Sequence, residues 1–151
     1  MAKPLTLQEE FPTTEGLCPD AYSLAVISPA YASPTGELNA ILQYFYHYFN
    51  FDKHGYMEYA ADLESIAIAE MLHLELLGKT ITALGAQPLY CQNPPTAYHF
   101  YSAKYVTYSR NLVNMIEDDI ISERRAIAQY SKMLSRLKDE RVKNIISRIA
   151  A

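Results

Sequence analysis

Hydrophobic residues recur at helical spacing in two long stretches of the chain that contain no proline. The first stretch runs from about Pro34 to Gln87, and the second runs from about Thr96 to the end of the 151-residue sequence. Apolar residues three and four positions apart form one face of a helix. Because proline removes a backbone donor and interrupts helices, its absence favours long helices here. The pattern predicts an all-α protein.

Turn-forming residues divide the first stretch into two helices. A first helix begins near Pro34 and ends at the run 50–55, which reads Asn-Phe-Asp-Lys-His-Gly. A second helix follows from about Met57 to Leu84. Gly85 suits the position just after a helix C-terminus, where a left-handed backbone is common.

The second stretch predicts two more helices. A third helix is expected to begin between 104 and 109, and a fourth begins after a short turn near 138–139. The segment 87–101 then forms a long crossover between the second and third helices. This order describes a four-helix bundle with one long connection and a short fourth helix, over residues 34–151. The proline-rich residues 1–33 show no helical period and are expected to form an extended N-terminal arm.

The composition is that of a folded, mildly acidic protein. Half of the residues are apolar, 13 Lys and Arg stand against 17 Asp and Glu, and the net charge is −4. Two cysteines are too few for a disulfide framework, and no apolar run approaches the roughly 20 residues that cross a bilayer. We therefore expect a cytoplasmic protein that binds neither nucleic acid nor membrane.

Acidic residues stand among Leu and Ile on faces that should point into the bundle. Glu37 heads the apolar face of the first helix, and Glu70 lies on that of the second. Asp119 and Glu123 lie on that of the third. An ionised carboxylate buried alone is very unfavourable, so such groups must be paired, protonated or bound to a metal. The simpler alternative is that the helix registers are misjudged and the acids are solvated.

A metal site is predicted where the first two helices face each other. Glu70 and His73 are three positions apart, so both side chains lie on one face of a helix and can bind one ion. Glu37 and Glu70 are 33 positions apart, and their midpoint falls in the turn at 50–55. In an antiparallel hairpin the two carboxylates therefore lie at about the same height.

The third helix is expected to supply a further carboxylate. Glu123 fits its inward face, whereas Glu117, the alternative, lies off that face. Asp119, one turn before Glu123, is either an extra ligand or a hydrogen-bonding neighbour of the site. Tyr44 lies seven residues after Glu37 and should point at the same cavity, either as a redox or proton-donating residue or as an ordinary core residue.

The other histidines carry no comparable signal. His47, His54 and His99 have no acidic partner at metal-binding spacing and are expected at the surface or in loops.

Mixed Glu and His ligands suit iron or manganese, and the sequence does not choose between the two metals.

These motifs resemble those of the ferritin-like superfamily, which includes ferritins, rubrerythrins and manganese catalases. Three segments carry the resemblance: residues 36–40 (Gly-Glu-Leu-Asn-Ala), residues 69–75 (Ala-Glu-Met-Leu-His-Leu-Glu) and residues 123–130. The first two look most like rubrerythrin-type and manganese-catalase-like bacterial proteins. In such bundles a Glu from each of two helices, and a Glu-x-x-His from each of the other two, hold two metal ions.

The resemblance implies specific ligands. Glu37 and Glu123 resemble the single Glu ligands, and Glu70 with His73 resembles the first Glu-x-x-His, with Glu70 bridging. The second Glu-x-x-His is expected near position 153, beyond Ala151. We expect either that the chain is truncated before that motif, which we favour, or that the second metal site is absent. One or two ions per chain are therefore expected.

The resemblance also implies a function. A dinuclear iron or manganese centre of this kind performs redox chemistry on peroxide or dioxygen, as a catalase, a peroxidase or a ferroxidase. Two alternatives stay open, namely an iron-binding storage protein in an oligomer and a structural bundle without metal. Since three carboxylates would otherwise face an open wall, we also expect a homodimer or larger assembly with the site near the interface.

Overall fold

Five α-helices and one short 3-10 helix make up the computed structural model, which describes residues 2–151. The elements are α1 (Ala21–Ala32), α2 (Glu37–Lys53), α3 (Met57–Ala83), the 3-10 helix (Ala103–Tyr105), α4 (Leu112–Arg136) and α5 (Glu140–Ile149). The predicted four-helix bundle is confirmed by α2 to α5, with the long crossover between α3 and α4 and a short last helix. None of the described helices is long and apolar enough to span a membrane.

Local sequence signals account for most helix ends. Gly55 and Gly85 both have positive φ, of 81° and 96°, in the turn after α2 and just after α3. Glycine adopts this conformation without steric strain. Asp139 caps α5 by accepting hydrogen bonds from two backbone N–H groups. The start expected for the third helix, between 104 and 109, is wrong, because α4 begins only after Asn111, whose side chain caps it.

The extended conformation expected for residues 1–33 is wrong for residues 21–32, which form α1. The Asp20 side chain caps this helix, and Pro29 lies inside it. Tertiary packing outweighs the hydrogen bond lost at Pro29, because α1 packs against α2, α3 and α4. A helix buried on several sides shows no single apolar face, so its sequence has no clear helical period. The division into an arm and a bundle domain remains a prediction.

Two groups of buried apolar residues lie at opposite ends of the bundle. On α3 the first group ends at Ala67 and the second begins at Leu76. On α4, Met115 belongs to the first group and Tyr130 belongs to the second. The predicted ligands Glu70 and His73 on α3, like Glu123 on α4, therefore lie between the two hydrophobic groups.

Candidate metal centre

Glu37 is placed by a close approach of α1 to the start of α2. Gly36 precedes it as the N-cap residue, and a Cβ at position 36 would lie 2.8 Å from the carbonyl oxygens of both Pro29 and Ala30. Only glycine at position 36 therefore allows the end of α1 to pack against the start of α2. Glu37 is the first residue of α2 and is 6% exposed. The positive end of the helix dipole lies beside its carboxylate.

Glu37, Glu70 and His73 converge between α2 and α3. Each side chain offers one ligand atom, and these atoms lie within 4.8 Å of one another. The Nδ1 atom of His73 is 2.8 Å from Oε2 of Glu70. The hairpin prediction that Glu37 and Glu70 lie at the same height is confirmed by this convergence. Their role as metal ligands remains a prediction.

A cavity of about 310 Å³ adjoins the cluster and reaches the protein surface. Its wall includes all three residues of the cluster together with Tyr44 and Glu123. Glu123 lines this cavity with its carboxylate partly buried, while the rest of the residue reaches solvent. Glu117 is also exposed but does not line the cavity. Of the two acids, Glu123 is therefore the one on the cavity wall, and its role as a metal ligand remains a prediction.

Two tyrosines donate hydrogen bonds to the two single glutamates. The Tyr44 hydroxyl donates to Oε1 of Glu123 at 2.5 Å, and the Tyr130 hydroxyl donates to Oε1 of Glu37. Tyr44 thus lies where the sequence predicts, and its chemical role remains a prediction. The bond of Tyr130 to Glu37 was missed, because the two residues are 93 positions apart and no local motif joins them.

Burial and crowding of like charges set the protonation of the acids. Burial, and then the negative charge of Glu70, raise the pKa of Glu37 well above its ordinary value. Burial alone would raise the pKa of Glu70, but hydrogen bonds from His73 and from Glu37 bring that pKa below its ordinary value. Protonated Glu37 therefore donates to the carboxylate of Glu70. Burial also raises the pKa of Glu123, and the nearby charges of Glu70 and Asp119 raise it further.

Asp119 lies beside the site but faces a different set of partners. Its Oδ2 atom is 2.8 Å from Nδ1 of His47, and its Oδ1 atom accepts a hydrogen bond from the Gln43 amide at 2.9 Å. With both oxygens engaged, Asp119 is a hydrogen-bonding neighbour that ties α4 to α2. The surface position expected for His47 is wrong, since this side chain is fully buried. Its acidic partner is 72 positions away, beyond the reach of any local motif.

The donor set fits a divalent iron or manganese ion. Two carboxylates and one imidazole meet within a few ångströms, and a third carboxylate lines the same cavity. Oxygen and nitrogen ligands of this kind suit both metals. Without a cation the acids must share protons, as the raised pKa of Glu37 shows. A positive ion among them would remove that repulsion.

Comparisons with known proteins agree with this architecture. The family described as the ferritin-like domain matches residues 34–146. The crystal structure of wild-type KatB, a manganese catalase from Anabaena, superposes with a TM-score of 0.81 at 21% identity, over 97% of this chain and 72% of that one. A second KatB structure gives a TM-score of 0.80 at 21% identity, over 97% and 73% of the two chains. Identity this low shows a common fold. No curated protein matches the sequence significantly.

Proposed function

This chain belongs to the ferritin-like family, and from that premise we propose that it holds an iron or manganese centre that reacts with peroxide. The observation that carries the proposal is the convergence of Glu37, Glu70 and His73 beside a cavity open to solvent. The structural likeness to a manganese catalase supports the same chemistry. Dioxygen is the alternative small substrate.

The residues on the cavity wall support a specific set of ligands. Glu37, Glu70 and His73 would hold one ion, and Glu123 with Glu70 would hold a second. Two redox-active ions, when bound, supply one electron each, which matches the two-electron chemistry of a peroxide bond. The cavity of about 310 Å³ has room for a small molecule such as peroxide beside the three residues of the cluster.

Tyr44 would keep a proton at the wall of this cavity. Burial, followed by the negative charge of Glu123, raises the pKa of Tyr44 above its ordinary value, so the hydroxyl stays protonated at neutral pH. In the metal-free structure this hydroxyl donates a hydrogen bond to Glu123. We propose that the same hydroxyl orients peroxide and supplies a proton to it.

The Tyr44→Phe variant tests this proposal. Oxygen release from hydrogen peroxide, measured with manganese-loaded and iron-loaded protein, is expected to fall about 10- to 100-fold while metal affinity stays within about twofold of wild type. Tyr46→Phe is a matched control, because the Tyr46 hydroxyl donates to the Ser109 carbonyl and does not line the cavity. Metal-loaded wild-type protein without peroxide turnover would contradict the function and would favour iron storage, whereas wild-type protein that takes up neither metal would favour a structural role.

We also propose that a second copy of the chain packs on α4. Val113, Ile120 and Ile127 recur every seven residues and are 70%, 46% and 64% exposed. Such spacing forms an apolar seam for another helix. In an antiparallel pairing of α4 with its copy, Glu117 of one chain would lie near Arg124 of the other, which is favourable for both charges. Ile127 lines the cavity, so this dimer would cover its open side.

The Ile120→Asp variant tests the seam. We expect wild-type protein to sediment as a dimer at tens of micromolar and the variant as a monomer, because the substitution would bury two charges at the centre of the interface. Met57→Asp is the control, since Met57 is also an exposed apolar residue but lies at the start of α3, away from α4. A monomeric wild-type chain, or a dimer that Ile120→Asp leaves intact, would refute the seam.

A further inference from the structure

We propose that Phe11, anchored by Arg148, is a positioning residue that holds the His73 imidazole in its metal-binding orientation. The inference rests on the proposed function in one respect, namely that His73 is a ligand. The three side chains form a row: a guanidinium, a phenyl ring and an imidazole. The guanidinium comes from the last turn of α5, the phenyl ring from the N-terminal arm and the imidazole from the middle of α3.

Arg148 is a buried cation without a carboxylate partner among residues 2–151. It is 8% exposed, and its Nη2 atom donates to the carbonyl oxygens of Leu7 at 3.1 Å and Glu9 at 2.8 Å. Its Cζ atom lies 4.2 Å from the centre of the Phe11 ring. A buried charge requires compensation, which here comes from two carbonyl dipoles and the face of an aromatic ring. All of these groups belong to the arm, so Arg148 fixes the path of the arm and the place of Phe11.

Phe11 in turn packs against the His73 ring. The ring centres are 5.8 Å apart and the planes meet at 77°, an edge-to-face contact. On the same imidazole, Nδ1 is 2.8 Å from the Glu70 carboxylate. Glu70 therefore holds one edge of the ring, and Phe11 restricts its rotation. Phe11 does not line the cavity, so it would act on a metal ion only through His73.

A ligand held in place before binding loses less conformational entropy when the ion arrives. Fixing one side chain accounts for about a two- to tenfold change in affinity. Groups that orient a ligating histidine change metal affinity in the same direction. We therefore expect Mn²⁺ affinity to fall about two- to tenfold when the Phe11 ring is lost.

The experiment compares substitutions in the row with a remote one. Phe11→Leu keeps an apolar side chain but removes the ring, Phe11→Tyr keeps the ring, and Arg148→Met removes the cation. Phe49→Leu is the control, because Phe49 is exposed and contacts Phe45 and Tyr48, away from the cavity. Two quantities are measured on the full chain: Mn²⁺ affinity by calorimetry, and the ¹⁵N and ring-proton resonances of His73 in metal-free protein.

The proposal predicts a distinct pattern across these variants. Phe11→Leu and Arg148→Met weaken Mn²⁺ binding and shift or broaden the His73 resonances, while Phe11→Tyr and Phe49→Leu resemble wild type. The double variant Phe11→Leu/Arg148→Met binds no more weakly than Phe11→Leu, because Arg148 acts through Phe11. A drop in urea stability with unchanged affinity and unchanged His73 resonances would overturn the proposal and leave Phe11 a packing residue.

The two claims can fail separately. If the wild-type protein binds no Mn²⁺, the proposed function fails, and the His73 resonances in metal-free protein decide the positioning claim alone. If the wild-type protein binds Mn²⁺ but Phe11→Leu matches it in both measurements, only the positioning claim is overturned.

Discussion

Replacing Glu70 with glutamine is expected to weaken Mn²⁺ and Fe²⁺ binding by at least about 100-fold. Glu70 contacts both Glu37 and His73, so it is the acid at the centre of the cluster. Glutamine keeps the size of the side chain but loses the charge that attracts the ion. Bound metal should also stabilise the wild-type fold by about 2.7 kcal/mol at 100 times its dissociation constant, and at the same metal concentration this gain should fall to about 0.4 kcal/mol or less in Glu70→Gln.

A matched control carries the same chemical change to an exposed position. Glu117→Gln also removes one negative charge, but Glu117 does not line the cavity. Metal affinity by calorimetry, and melting temperature with and without Mn²⁺, should match wild type in this control. Equal metal affinities for Glu70→Gln and wild type would exclude the site as described, and loss of binding in Glu117→Gln would show that the register of α4 is wrong.

In metal-free protein, Glu37→Gln is expected to raise the free energy of unfolding at pH 8, by at most about 1.4 kcal/mol for each pH unit above the ordinary pKa of a glutamate. Burial and the charge of Glu70 raise the pKa of Glu37, so the native state keeps this carboxyl protonated. Glutamine resembles the protonated acid, since its amide can donate to Glu70 and its oxygen can accept from Tyr130. The substitution therefore keeps these hydrogen bonds and removes the need to ionise a buried group.

The sign of the pH dependence follows from the raised pKa. Between the unfolded pKa of a glutamate and the higher native pKa of Glu37, the native state binds more protons than the unfolded state, so stability falls as pH rises. One such group lowers the free energy of unfolding by at most about 1.4 kcal/mol for each unit of rising pH. Glu123 also has a raised pKa and remains in the variant, so Glu37→Gln should reduce this slope between pH 5 and 9 without abolishing it.

Urea unfolding of metal-free wild type, Glu37→Gln and Glu75→Gln across this pH range provides the measurement. Glu75 is an exposed acid on α3 and supplies the control. A less stable Glu37→Gln protein, or an unchanged pH slope, would show that Glu37 is ionised in the metal-free fold.

The position of the site could be predicted from the sequence because it depends on local regularities. Helical spacing places Glu70 and His73 on one face, and the turn at 50–55 fixes which residue of α2 lies opposite Glu70. The same spacing places Glu123 on the cavity wall. These inferences need only helix geometry and the location of one turn, and the structure agrees with each of them.

The parts that were missed depend on contacts between distant segments. α1 has buried residues around most of its circumference and contains Pro29, so periodicity and proline both argued against a helix. The partners His47 and Asp119 are 72 positions apart, and no local motif joins them. Ile127 lies one turn after Glu123, on the face of α4 that the helical spacing points inward, yet it is 64% exposed, because no helix within residues 2–151 covers that part of α4. The helix α1, the His47–Asp119 pair and the exposure of Ile127 all depend on how distant segments pack. No short sequence pattern shows that packing.

Anomalous diffraction from crystals of the wild-type chain soaked in Mn²⁺ tests the central claim most directly. The account predicts an anomalous peak bounded by the Glu37 and Glu70 carboxylates and the His73 imidazole, with metal–ligand distances of about 2.0–2.2 Å. A well-ordered crystal with no peak between these three side chains, or with its only strong peak elsewhere on the chain, would contradict it.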